Sequence, residues 1–156
     1  MGPYAFEGTS QLEFIDLNSL TRLQEYTFAR SGIKALYLPA IETLDDMALG
    51  QAWNLTTLDL GSSLNSVGDF IFHDLHTTFV NTFEPDNLDI KFNGPLPATI
   101  SSDAFFFNKD ENSPLNGTLF DFKSVSVPSA ALASYKQYFS SVGYTSTTIQ
   151  NEVTGF

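Results

Sequence analysis

The chain has 156 residues, enough for one domain, and 42% of them are hydrophobic, enough for a continuous core. Against 7 basic residues stand 18 acidic ones, and the resulting net charge of −11 argues against nucleic acid and anionic lipid as partners. There is no cysteine, hence no disulfide or thiolate metal site, and no apolar run long enough to insert in a membrane or leader at the start.

Met1-Gly2-Pro3 leads straight into Tyr4-Ala5-Phe6, which reads as the end of a structural unit rather than its beginning. A short phrase then recurs, an apolar triplet at L-x-x-L-x-L spacing followed by two apolar residues and a closing Phe or Leu. It runs Leu12, Ile15, Leu17; then Ile33, Leu36, Leu38; then Leu55, Leu58, Leu60. The closing residues Phe6, Phe28, Leu49 and Phe72 are 22, 21 and 23 residues apart. A period in the twenties predicts a solenoid in which each unit buries its apolar row only by stacking on its neighbours.

The last two apolar residues of each triplet are two apart and so share one face of a short strand. Ile15 and Leu17, Leu36 and Leu38, and Leu58 and Leu60 are expected inward, with Asp16, Tyr37 and Asp59 between them outward. Gly8, Gly32, Pro39, Gly50, Gly61 and Gly68 stand where the coil must turn. The stretch before each closing residue reads as a turn and a short helical or extended segment on the far side. Ile90 and Phe92 continue the pattern as a fourth unit ending at Phe105, and Phe122 to Val127 as a fifth. Their extra length lies in two insertions, 74–87 and 106–121. After Pro128, Ser129 is placed to N-cap a helix through Phe139 with an apolar stripe of Leu132, Tyr135 and Phe139. Val142, Tyr144 and Ile149 are expected to pack behind it as a trailing strand.

The units are therefore 4–28, 28–49, 49–72, 72–105 and 105–128, with a cap over 129–156, in one domain spanning 1–156. The first unit lacks a polar cap, so further repeats are expected upstream and the array to be a piece of a longer chain. A monomer is expected, with self-association through the open first edge as the exception.

Laid out in this way, the chain resembles the BspA-like leucine-rich repeats of bacterial surface proteins. Tyr4-Ala5-Phe6, Asp103-Ala104-Phe105, Leu36-Tyr37-Leu38-Pro39 and Leu64 to Phe70 carry the likeness, and Val125-Ser126-Val127-Pro128 with Ala133-Ser134-Tyr135-Lys136 matches an ending of gut-bacterial members. It departs in lacking the usual turn cysteine, in Thr27, Ala48 and Ile71 at or beside the alanine of the A-F pair, and in the two insertions. The resemblance implies an α/β-type leucine-rich-repeat solenoid, a right-handed coil of about five repeats with strands on one face, turns and short helical segments on the other, and a helical cap. It also implies an extracellular or cell-surface setting and adhesion-type recognition of a protein or glycan, without catalysis or cofactor.

The outward row of the strands is the expected contact surface, with Phe14, Asp16, Tyr37, Asp59 and Lys91 as candidate ligand-binding residues. Strands about 4.8 Å apart would align Asp16, Tyr37 and Asp59 in one column, an aromatic flanked by carboxylates. A uniformly polar row would instead mark a structural spacer, and a saccharide-holding accessory is a third reading. No metal site is expected. His73 and His76 lack a third ligand, and Glu84 to Asn87 and Asp110 to Asn112 lack calcium-loop spacing. The sequons at Asn54 and Asn116 are read as chance, and no nucleophile elbow or phosphate-binding loop points to an enzyme.

Overall fold

The computed structural model describes residues 1–73, 87–106, 119–120, 122–145, 148–149 and 152–156. The two expected insertions fall almost wholly outside these residues, as do His76, both oxygen-rich loops apart from Asn87, and the sequon at Asn116. In chain order the elements are β1 (Arg22–Leu23), β2 (Ala35–Leu38), β3 (Thr43–Leu44), β4 (Thr57–Leu60), β5 (Ser66–Val67), β6 (Asp89–Phe92), β7 (Thr99–Ile100), β8 (Ser124–Val127), a 3-10 turn (Ser129–Ala131), α1 (Leu132–Ser141) and β9 (Val153–Gly155).

These strands form two parallel ladders. The longer strands stack in the order β2-β4-β6-β8-β9, the two-residue strands in the order β1-β3-β5-β7. Side chains alternate across a strand, so the register sorts each ladder into inward and outward columns. Leu36, Leu58, Ile90, Val125 and Val153 are aligned partners and all are buried. Leu38, Leu60 and Phe92 make a second buried column beside them. On the short ladder, Leu23, Leu44, Val67 and Ile100 align, the first three of them buried. The fourth unit thus keeps register with the third despite its extra length, since the insertion leaves and rejoins the coil outside the paired segments.

The third side of the coil is built of turns, where short helical or extended segments were expected. Among the described residues, no α-helix lies within the repeats. Two residues before each closing residue, Tyr4, Tyr26, Met47 and Phe70 hold left-handed φ angles of 56°, 48°, 52° and 50°. Two residues after, Gly8, Arg30 and Gln51 do the same at 69°, 55° and 56°. The backbone N–H groups at these positions donate across to the next unit. Tyr26 reaches the carbonyl of Met47 at 3.0 Å, Met47 that of Asp69 at 2.9 Å and Phe70 that of Asp103 at 3.1 Å. The turn side thereby adds a third set of bonds between units to those of the two ladders, which satisfies buried turn backbone that would otherwise lack partners.

Phenylalanines fill the interior behind the turns. Phe6 stacks on Phe28 with centroids 5.2 Å apart, and Phe72 meets Phe105 at 6.1 Å and Phe120 at 4.5 Å. Phe122, Phe139 and Tyr144 extend this cluster under the helix. Phe106 and Leu119 form an antiparallel bridge, so the chain re-enters beside the point where it left. Helix α1 closes this end with Tyr135 and Phe139 buried. Its phenols find carbonyl acceptors, Tyr135 at Pro95 (3.1 Å) and Tyr138 at Ser101 (2.7 Å), as a buried hydroxyl requires.

Three expectations are corrected. The triplet Leu12-Ile15-Leu17 forms no strand. Leu12 and Ile15 are only half-buried, and no backbone hydrogen bond joins residues 13–17 to β2 among the described residues. Asp16 Oδ1 instead accepts the Asn18 N–H at 3.0 Å, a local side-chain turn that competes with extending the segment into a ladder. Ser129 does not cap α1; the helix starts from the 3-10 turn without a side-chain cap, and the Ser129 hydroxyl donates to the carbonyl of Phe156 at 2.9 Å. The trailing strand is β9, whereas Val142 ends the helix and Ile149 is a buried residue outside any strand. Val153 supplies the side chain that the ladder's inward column needs, and Val142 lies too soon after the helix to reach it.

Candidate functional site

The long ladder presents two outward columns, Ala35-Thr57-Asp89-Ser124 and Tyr37-Asp59-Lys91-Ser126-Thr154. Three of the candidate residues, Tyr37, Asp59 and Lys91, therefore stand in one line on successive strands. Phe14 and Asp16 do not join them, because their segment is not in the ladder. Phe14 is nonetheless 75% exposed and Tyr37 55% exposed. Asp16 is used locally, its Oδ1 accepting the Asn18 N–H at 3.0 Å.

Most charges on this face are already engaged. Lys91 Nζ lies 3.9 Å from Asp59 Oδ2 and 4.8 Å from the centroid of the Phe156 ring. Asn93 donates through Nδ2 to Asp59 Oδ1 and to the Leu60 carbonyl, clamping the carboxylate from the end of the strand. In the neighbouring column, Lys123 Nζ donates to Asp89 Oδ2 at 2.8 Å and the Ser124 hydroxyl to Oδ1. Burial works to raise the Asp89 pKa, but these hydrogen bonds and the Lys123 charge prevail and hold the carboxyl below its usual value. Among the described residues, Tyr37 is the large side chain of this face without a hydrogen-bond, ion-pair or ring partner.

A shallow groove of about 420 Å3 opens over the short ladder, lined by Arg22, Glu25, Thr43, Asp45, Asp46 and Ser66. Two of its acids, Asp45 and Asp46, serve the fold. Arg22 Nε donates to both oxygens of Asp45 at 3.0 and 2.9 Å, and Asp46 Oδ1 accepts the Asp69 N–H at 2.8 Å. His73 is likewise structural, with Nδ1 3.0 Å from the Tyr26 hydroxyl and its ring edge-on to the tyrosine. Among the described residues, no cluster of three or more histidine or acidic side chains is placed to hold a metal ion.

Sequence reasoning missed Asn93, Lys123 and Phe156. The first two become visible once cross-strand register is known, since they flank Asp59 and Asp89 on the next strand. Phe156 carried no signal, because β9 was not read as a strand.

No curated protein matches the chain. The model of the BspA type leucine rich repeat region matches residues 1–94 in six copies, well over half of the sequence. That span ends just after β6, and the same register continues through β8 and β9 beyond it. With a matching family model and two parallel ladders of repeating register, the chain belongs to the BspA-type leucine-rich repeat family.

Proposed function

We propose that the chain is a non-catalytic recognition module of a secreted or surface-associated protein, binding a protein ligand through the long-ladder face. The observation that carries this reading is Tyr37, a large aromatic side chain exposed on β2 where the ladder begins, with a second exposed aromatic, Phe14, on the segment before it. Exposed aromatics of this size are costly to leave in water and are the residue types that anchor interfaces. The neutral and hydroxyl-bearing rest of the face, Ala35, Thr57, Ser124, Ser126 and Thr154, forms a polar surround of the kind that rims such anchors. Among the described residues, no helix is long and apolar enough to cross a membrane.

The carboxylates paired to Lys91 and Lys123 favour a second reading, a spacer whose ladder face is self-satisfied. Binding separates the two. The purified chain is screened against extracellular-matrix proteins and a glycan array, and any saturable hit is repeated with Tyr37→Ser and Phe14→Ser. Tyr37 is 55% exposed and its side chain has no hydrogen bond, ion pair or ring contact among the described residues. Its replacement is therefore expected to leave thermal unfolding nearly unchanged and to weaken the hit at least tenfold, the scale of an interface anchor. A hit that survives both substitutions removes the ladder face from the reading, and silence on both panels leaves the spacer. A hit confined to the glycan array makes the ligand a saccharide.

A further inference from the structure

The ladder face already holds one cation, and the way it does so indicates what it takes from outside. Lys91 sits between a carboxylate, Asp59, and an aromatic ring, Phe156. One strand away on the other side of Asp59 stands a second aromatic, Tyr37, directly opposite it in register, exposed and, among the described residues, with no cation over it. We infer that the partner docks a lysine or arginine side chain of an extended basic segment on Tyr37, with the charge shared by Asp59; this rests on the ladder face being the recognition surface.

The geometry supports a single cation meeting both groups. Opposed residues on parallel strands stand about 4.8 Å apart, and a cation is attracted to a ring face from within about 6 Å of its centroid. Asp59 has capacity left. Its Oδ1 is taken by Asn93, but among the described residues Oδ2 has only Lys91 at 3.9 Å, well beyond the roughly 2.7–2.9 Å of a charge-assisted hydrogen bond. A guanidinium, planar and weakly hydrated, can stack on the phenol while donating to that oxygen, so arginine fits better than lysine. The net charge of −11 acts in the same direction over longer range, drawing basic segments in and turning acidic ones away. A neutral sugar could stack on Tyr37 and donate a hydroxyl to Asp59, but it brings no charge to the ring face and gains nothing from the long-range field.

The test is calorimetric titration of the full chain with an acetylated, amidated tetra-arginine peptide and with its citrulline counterpart, which keeps the shape and removes the charge. The arginine peptide is expected to bind about tenfold or more tightly than the citrulline peptide. Tyr37→Ser leaves the net charge unchanged, so diffuse attraction persists in it, and a further loss of about tenfold reports the ring itself. Asp59→Asn is expected to weaken binding similarly, and Glu25→Gln, in the groove over the short ladder, to leave it nearly unchanged. Equal binding by the wild type and Tyr37→Ser overturns the inference, as does an equal effect of Glu25→Gln and Asp59→Asn. If a matrix-protein hit depends on Tyr37 while neither peptide binds, the cation is wrong and the recognition surface stands. If such a hit ignores Tyr37, both fall together.

Discussion

At Gly61 the coil comes so close to its neighbour that a Cβ would lie 1.9 Å from the Pro39 carbonyl oxygen. That atom is backbone and cannot swing away, so Gly61→Ala must push β2 and β4 apart. Its expected effect is the loss of cooperative unfolding, or a midpoint too low to measure, seen by circular dichroism. Gly8 is a control for conformation alone. It has φ of 69° with nothing within 4 Å of its would-be Cβ, so Gly8→Ala should cost only the left-handed penalty of about 1–2 kcal/mol in urea unfolding. An equal effect at the two sites would mean that packing against Pro39 is not what demands glycine. Thr27 shows the opposite tolerance. It stands where the family pattern has alanine, and its buried hydroxyl is satisfied by the Gln24 carbonyl at 2.8 Å, so the departure leaves the repeat intact.

Among the strands, inward columns carry stability and outward ones are free to vary. Leu58 is fully buried between Leu36 and Ile90, so Leu58→Ala is expected to cost about 2–5 kcal/mol in urea unfolding. Leu58→Asp adds an unpaired buried charge, which a marginally stable domain cannot offset, and should give no folded protein by circular dichroism. On the outward side, Lys123 and Ser124 hold the Asp89 carboxyl below its usual value. A lowered folded-state value adds stability above the unfolded pKa, and this is lost as pH falls through the folded one. Asp89→Asn should therefore flatten part of the acid-side decline in unfolding free energy, by less than about 1 kcal/mol because the pair is largely exposed. An unchanged acid limb would mean the pair adds nothing. These columns were legible in the sequence because period-2 alternation inside a fixed repeat predicts them directly. Residues 14–17 match the pattern yet form no strand, since Asp16 turns the chain locally onto the Asn18 N–H, a competing contact that periodicity does not report. The two-residue strands and left-handed turns were too short to carry a period. For β9, Val153 alone gives no alternation to read. The candidate site was legible to the same degree. Tyr37, Asp59 and Lys91 follow from register, while the clamp by Asn93 and the ring of Phe156 depend on which side chains converge from outside the ladder.

Across the whole molecule, stability in a stacked array is set by each unit's contacts with its neighbours, and the two ends here differ sharply. At one end α1 and β9 close the aromatic cluster of Phe72, Phe105, Phe120, Phe122 and Phe139. At the other, the 13–17 backbone has no partner in β2, and Phe6, Leu12, Ile15 and Leu20 are only half-buried. Native-state hydrogen exchange should therefore be graded along the axis. Amides of residues 13–17 are expected to exchange fastest, with little or no protection. Those of β2 should follow through local opening of the first turn, and those of β4 and β6 should approach the free energy of global unfolding. A ligand seated on Tyr37 binds at the loose end, so it should raise protection most in β2 and least in β8. Uniform protection from residue 13 to β8 would show that the array unfolds only as a single unit, and protection gained chiefly at β8 would place the ligand at the capped end instead.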